Sequence, residues 1–372
     1  MLFLGAALFL SSLALSLVGT GLARRFAGKL GMIDQPGTRK VHESPKPRNG
    51  GMAIFWSIAL PLLAGLAAAG LFVRPPWAGY LPVSVRAYVP GLLAHRGLAL
   101  LLIFCTLAIH LEGLWDDRHA LSAPVKLFWQ LAIAIALVAG GEWLQKGGFR
   151  ILTFLDQAVP GGIFISGALS VLWLVVLTNA FNFMDNMDGL SAGVAGICAL
   201  MFFIAAMHSG QWFICGLLLL YLGAVAGFLV YNFPPAGIFM GDGGSMVLGF
   251  FLAALTIRTT FYSGQGRWYS IFMPLVVTAV PLYDLVVVSF VRWRRGRSPM
   301  VGDTNHFSHR LTRHGFSQRG AVLVIYAVTL ACGLSAPLLA RAGGVSAVLI
   351  AIQCLAILTI VGVLERVGEH TR

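Results

Sequence analysis

The chain has 372 residues, of which 58% are hydrophobic and only 11% charged, with a mean hydropathy of +0.83 and a formal net charge of +12. That composition excludes a soluble globular enzyme and a disordered chain, and points to a polytopic membrane protein. The apolar runs are continuous rather than alternating, which excludes a β-barrel and leaves helices as the elements that satisfy their own backbone in lipid.

A span needs roughly 20 apolar residues to cross a hydrocarbon core about 30 Å thick. Eleven runs qualify, at about 1–22, 50–72, 97–114, 125–144, 161–180, 190–209, 211–230, 244–260, 270–292, 320–340 and 344–364. The third and eighth are short, so ten spans is the lower expectation. The first run lacks a basic leader, and Arg24 and Arg25 follow it; it reads as a span that stays rather than a cleaved signal. The predicted fold class is an all-α polytopic membrane protein. No loop is long enough for a soluble domain, so residues 1–372 read as one integral-membrane domain.

Orientation follows from Lys and Arg. If segments 23–49, 115–126, 181–190, 231–243, 292–319 and the C-terminus share one side, that side holds 18 of the 26 basic residues. It is therefore expected to be cytoplasmic, with the N-terminus outside and the C-terminus inside. The positive charge then forms a skin suited to anionic headgroups and substrates, not to nucleic acid. The five cysteines all fall in apolar runs and form no C-x-x-C pair. They read as small buried hydrophobes.

The acidic and amide residues cluster on that same side, in chain order. "IDQPGTRKVHESPKPRNGG" (Ile33–Gly51) is basic and loop-like. "GLWDDRHALSAPVK" (Gly113–Lys126) ends the third run with Asp116 and Asp117. Adjacent carboxylates repel, so they need a metal ion, a lysine or a proton. Lys126 lies in the first turn of the next helix, where Pro124 is tolerated, and a reversal at "HALS" would return it to the aspartates. In "NAFNFMDNMDGLSAG" (Asn179–Gly193), Asn182, Asp185 and Asp188 recur every three residues. On a helix they would form one stripe of oxygen ligands suited to Mg²⁺ or Mn²⁺ rather than zinc. Gly189 and Gly193 would allow close approach of a neighbour or ligand.

"YNFPPAGIFMGDGGSMVLG" (Tyr231–Gly249) places Asp242 between glycines at the start of the eighth run. A glycine-rich helix start is an anion site, and a carboxylate there can hold a metal that in turn holds phosphate. Asn232 lies in the same stretch, and Phe239 is either core or a stacking surface for a base. "GDTNHFSHRL" (Gly302–Leu311) supplies His306, His309 and Arg310 to a basic loop. Together these groups suit Mg²⁺-dependent phosphoryl transfer, where catalysis is mostly positioning and charge neutralisation. A site at the membrane surface implies a lipid substrate. A transporter would place its ionisable groups near the midplane, often in inverted repeats; here they sit at span ends, with no internal repeat.

"DDRHALSAPVK", "NFMDNMDGLSAG", "FMGDGGSMVLG" and "DTNHFSHRL", in that order, resemble the polyprenyl-phosphate N-acetylhexosamine-1-phosphate transferases. "DQPGTRKVH…PRNGG" and "VPLYD" (Val280–Asp284) match as well, so the resemblance covers about residues 30–320. It implies transfer of a sugar-1-phosphate from a UDP-sugar to undecaprenyl or another polyprenyl phosphate, with release of UMP, in cell-envelope glycan synthesis at the bacterial inner membrane. It also implies Mg²⁺, with Mn²⁺ as a substitute, and admits a homodimer. "NHFSHRL" is similar to the loop of the UDP-GlcNAc branch; the branch using UDP-muramoyl-pentapeptide is the alternative. By resemblance, Asp242 and Asn182 bind the metal, and Asp116 and Asp117 orient or deprotonate the lipid phosphate. Lys126 meets the pyrophosphate, and Phe239 and Asp188 meet the uracil. His306, His309 and Arg310 meet phosphate or sugar, and Asp185, Asn232, Lys40 and His42 complete the substrate-binding set. The chain departs from the family pattern at Ser308, where histidine is usual, and at Asn186, where glycine is common.

Overall fold

A computed structural model describes residues 2–35, 44–73, 77, 80–259, 268–296, 298, 306–340 and 342–367. The long helices are α1 (Leu2–Phe26), α2 (Gly50–Phe72), α3 (Arg96–Arg118), α4 (Ala123–Leu144), α5 (Gly162–Met184), α6 (Leu190–His208), α7 (Trp212–Asn232) and α8 (Asp242–Arg258). They are followed by α9 (Ala279–Arg294), the short α10 (Phe307–Arg313), α11 (Gln318–Gly333) and α12 (Gly344–Val367). Two-residue strands, β1 (Ile33–Asp34) and β2 (Lys46–Pro47), pair antiparallel within the segment read from sequence as loop. All five cysteines are buried and free.

Among the described residues, nine helices are long and apolar enough to cross a membrane by length and composition, or ten if Tyr269–Val277 and Ala279–Arg294, bent by 69°, count as one span. The protein is therefore a multi-pass membrane protein. Of the two runs expected to be short, one is not and the other is. The third run is not short: α3 has 23 residues, because its polar end, Asp116 and Asp117 included, stays helical. The eighth run is short, with 17 residues, and from Gly243 to Ile257 every residue of α8 is buried. A helix apolar all round belongs inside protein. Wrapped by α2, α3 and α5, α8 has no need to match a lipid thickness.

The chain runs up and down, so one end of the bundle collects the C-termini of α1, α3, α5 and α7 and the N-termini of α2, α4, α6 and α8. All the polar stretches meet there. Glycine permits the closest approaches at this end. A Cβ on Gly51 would lie 2.3 Å from the backbone nitrogen of Gly244, and one on Gly113 would lie 2.5 Å from the Asp242 carbonyl carbon. The starts of α2 and α8 and the end of α3 therefore touch backbone to backbone.

Candidate active site

The site is built on the first turn of α8. Gly241 enters it at φ +74°, left-handed backbone that favours glycine. The first amides of a helix have no intrahelical partner and attract negative charge. Asp117 meets that need: its Oδ1 accepts from the Asp242 amide at 2.9 Å and its Oδ2 from Gly243 at 3.1 Å. The anion seat expected at this glycine-rich turn is thus filled by a carboxylate from α3, whose side chain is only 1% exposed.

Two cations close the cluster. The reversal after α3 is held by the Leu121 amide, which donates to Asp116 Oδ1 at 2.6 Å. It returns Lys126, in the first turn of α4, to Asp116 at 3.0 Å and to Asp242 at 2.5 Å. Arg48 enters from the other side. Pro47 accepts from the Phe239 amide, and Gly50 and Gly51 donate to the carbonyls of Phe239 and Met240, so residues 47–51 run beside 239–240. That carries Arg48 to 2.8 Å from Asp117 and 3.9 Å from Asp242. Burial works against its charge, yet the carboxylates of Asp117 and Asp242 outweigh burial and hold the guanidinium pKa above its ordinary value. The repulsion foreseen between Asp116 and Asp117 is resolved by giving each its own cation.

Asn182, Asp185 and Asp188 do not form the predicted helical stripe. α5 ends at Met184 and Asp185 is its C-cap, so only Asn182 is helical. The chain must turn into α6 through Gly189 at φ +73°, and the polar run 185–188 makes that turn. Asn182 still reaches the site, its amide nitrogen donating to Ser245 Oγ at 3.0 Å. The Asp185 amide donates to the Asn182 carbonyl at 3.2 Å, but its carboxylate makes no hydrogen bond or ion pair among the described residues. Burial, with the nearby carboxylates of Asp242 and Asp117, pushes its pKa well above the usual range.

A raised carboxyl pKa in the folded state destabilises the fold as pH rises through the ordinary carboxylate range. Asp185→Asn is therefore expected to raise the Tm in metal-free buffer at pH 7, with the gain vanishing near pH 3. Thermal unfolding in detergent at the two pH values measures it, and an unchanged or lower Tm at pH 7 contradicts the assignment.

Asp188 lies apart from the Asp242 cluster. It accepts from the Ala236 amide at 2.8 Å and sits 3.9 Å from Lys46, whose ammonium lies 5.1 Å from the centre of the Phe239 ring. Phe239 is half-buried, so it is neither pure core nor a free platform. Asn232 is buried with both amide ends engaged: it accepts from Gly189 and donates to Ile238. The close approach at Gly193 is to Tyr326, not to open space. Lys40 and His42 lie outside the described residues.

The basic loop expected around His306 is the helix α10, with His306 at its N-cap. The turn is imposed by Asp284, which accepts from the Phe307 amide at 2.7 Å and from His306 Nδ1 at 2.8 Å. His306 Nε2 then faces Arg292 Nη2 at 3.2 Å, so both ring nitrogens are occupied. Arg310 is buried, and the His309 ring lies 6.4 Å from that of His306.

Asn186 and Ser308, the two departures from the family pattern, touch: the serine hydroxyl donates to the asparagine side-chain oxygen. Asn186→Ala and Ser308→Ala should therefore couple by about 1 kcal/mol in a double-mutant cycle on thermal stability. Additive losses would separate the two positions.

Sequence reasoning passed over Arg48, Asp284, Arg292 and Ser245. Arg48 and Asp284 lay inside quoted motifs, and Asp284 is an acid within an apolar run, a signal of function in its own right. Ser245 lay inside the quoted GDGGS stretch as well, but a serine there carries no signal of its own, and neither does an arginine such as Arg292 at a basic span end.

The site can be tested for its fit to a divalent cation. Among the described residues no three His, Cys, Asp or Glu side chains converge closely enough to hold a metal by themselves. The donors present are nonetheless hard oxygens, as Mg²⁺ requires: the Asp242 carboxylate, the Asn182 amide oxygen and the Asp185 carboxylate. Lys126 and Arg48 stand where positive charge is wanted. The chemistry fits, provided Lys126 leaves Asp242.

Fold and site together define a multi-pass membrane protein with an oxygen-rich, ion-paired cluster at one end of its bundle. Residues 99–260 match the family model described as glycosyl transferase family 4. The chain is 34% identical to the probable undecaprenyl-phosphate N-acetylglucosaminyl 1-phosphate transferase of Bacillus subtilis, covering 90% of this chain and 84% of that one. It is also 34% identical to the decaprenyl-phosphate N-acetylglucosaminephosphotransferase of Mycobacterium tuberculosis, covering 85% and 78%. The undecaprenyl-phosphate alpha-N-acetylglucosaminyl 1-phosphate transferase of Escherichia coli is 28% identical, covering 84% and 77%. The chain belongs to this family, in its polyprenyl-phosphate N-acetylglucosaminyl-1-phosphate transferase branch.

Proposed function

We propose that the protein transfers GlcNAc-1-phosphate from UDP-GlcNAc to a polyprenyl phosphate and releases UMP, at the cytoplasmic face of a bacterial inner membrane. The observation that carries this reading is the convergence of Asp116, Asp117 and Asp242 with Lys126, Arg48 and Asn182 on the first turn of α8. An oxygen of the lipid phosphate attacks the β-phosphorus of the donor. The bond from that phosphorus to the bridging oxygen breaks, and UMP leaves with the electron pair. A phosphate's second pKa is near 6, so the attacking oxygen needs no strong base, and Asp116 serves more by position than by basicity.

Asp117 holds the turn and Arg48 together throughout. Lys126 leaves Asp242 to meet the donor's pyrophosphate, and Asp188 with Phe239 meets the uracil. Asp242 and Asn182 are the residues to hold Mg²⁺, which when bound neutralises charge on the leaving phosphate. Purified protein with polyprenyl phosphate, Mg²⁺ and a panel of UDP-sugars tests the reading through released UMP. UMP from UDP-GlcNAc, lost with EDTA and regained with Mg²⁺ or Mn²⁺, is the expected result. UMP only from UDP-muramoyl-pentapeptide would move the protein to the other branch.

A further inference from the structure

At the end of the bundle away from Asp242, a cavity of about 1210 Å³ opens between α1, α2, α6, α7 and the segment before α3. Its walls are almost wholly apolar. Along α2 it runs from Pro61 to Phe72, about 16 Å at 1.5 Å per residue. That is one leaflet, half of a hydrocarbon core about 30 Å thick. Arg258 and His95 border it, with Tyr88, Gln211 and Trp212 as the other polar residues of the lining. Arg258, the last residue of α8, donates to Gln145 Oε1 at 3.3 Å and makes no ion pair with a carboxylate among the described residues. Among the described residues, His95 has a buried Nδ1 without a hydrogen-bond partner. A cation without an acid at a membrane protein's core edge marks a site for an anion. The apolar length behind it favours a phosphate carried on an acyl chain over a free one.

We infer that this cavity is a structural lipid site: one anionic phospholipid of the leaflet opposite the carboxylate site lays an acyl chain along α2 and sets its phosphate on Arg258. The occupancy is independent of the transferase reading. It ties a lipid to the far end of the same helix whose first turn carries Asp242.

Gly65 offers a clean plug. It lines the cavity, and a Cβ there meets nothing within 4 Å, so Gly65→Trp fills the space without moving backbone. The experiment loads detergent-purified wild type, Arg258→Gln and Gly65→Trp with phosphatidylglycerol, phosphatidylcholine, polyprenyl phosphate or inorganic phosphate. Bound lipid is counted by native mass spectrometry, and elution as a single folded species is required of each variant. Wild type is expected to retain one phosphatidylglycerol with about tenfold preference over phosphatidylcholine, the worth of one charge-assisted contact. Arg258→Gln should lose the preference but keep some lipid, and Gly65→Trp should lose the lipid. Equal retention of both phospholipids overturns the headgroup assignment. Retention by Gly65→Trp overturns the location, and polyprenyl phosphate held by wild type but lost by Gly65→Trp, with no phosphatidylglycerol bound, overturns the class of occupant.

Discussion

Asp242→Asn is expected to lower UMP release by on the order of a thousandfold, the scale for losing one preorganised charged group from a phosphoryl-transfer site. The side chain keeps its shape, so the α8 turn still forms on Asp117, which binds the backbone of residues 242 and 243 and not the Asp242 carboxylate. What changes is charge. Lys126 now bridges Asp116 and Asp242 at 3.0 and 2.5 Å. With asparagine at 242 it collapses onto Asp116 alone, and the strongest hard-oxygen donor for a divalent ion is gone. Initial rates at saturating donor, with thermal unfolding measured alongside, separate this from misfolding. A folded variant within tenfold of the wild-type rate would remove Asp242 from the centre of the reaction.

Gly51→Ala and Gly113→Ala should be strongly damaging single-methyl changes at the carboxylate end of the bundle. Each Cβ would meet backbone atoms at 2.3–2.5 Å, not the movable tip of a side chain. Overpacking of this kind costs about 3 kcal/mol or more when nothing can rotate away. The movement forced on α2 or α3 also carries Arg48 or Asp117 off the α8 turn, so activity falls with stability. Gly65→Ala is the contrast on the same α2 helix. Its Cβ meets nothing, and replacing a mid-helix glycine stabilises by roughly 0.5–1 kcal/mol. Thermal unfolding of the three variants in one detergent makes the comparison. A wild-type Tm for Gly113→Ala would mean that α3 and α8 do not touch as described.

Much of the site was legible because bilayer physics is strict. A polar residue among apolar runs has few reasons to be there, so Asp116, Asp117, Asp242 and Asn182 stood out without coordinates. Lys126 was placed correctly through local rules: a proline in a first helical turn and a short reversal that brings the side chain back. Asp185 and Asp188 were found but assigned the wrong local geometry. Spacing by three is compatible with a helix, but Gly189 in left-handed backbone requires a turn there, and that requirement comes from the α5–α6 connection. The basic loop at His306 became a helix because Asp284, more than twenty residues earlier in the chain, caps its first amide.

The sequence by itself determined the membrane class, the number of apolar runs to within one or two, the end of the bundle where polar groups gather, and the family. These follow from composition and period, which each segment carries alone. The tertiary structure decided which charge neutralises which: Arg48 on Asp117, Lys126 between Asp116 and Asp242, and Asp117 as the cap of α8. Ion pairing and capping depend on distances of a few ångströms between residues up to 125 positions apart. Only the packing of α2, α3 and α8 through their glycines sets those distances.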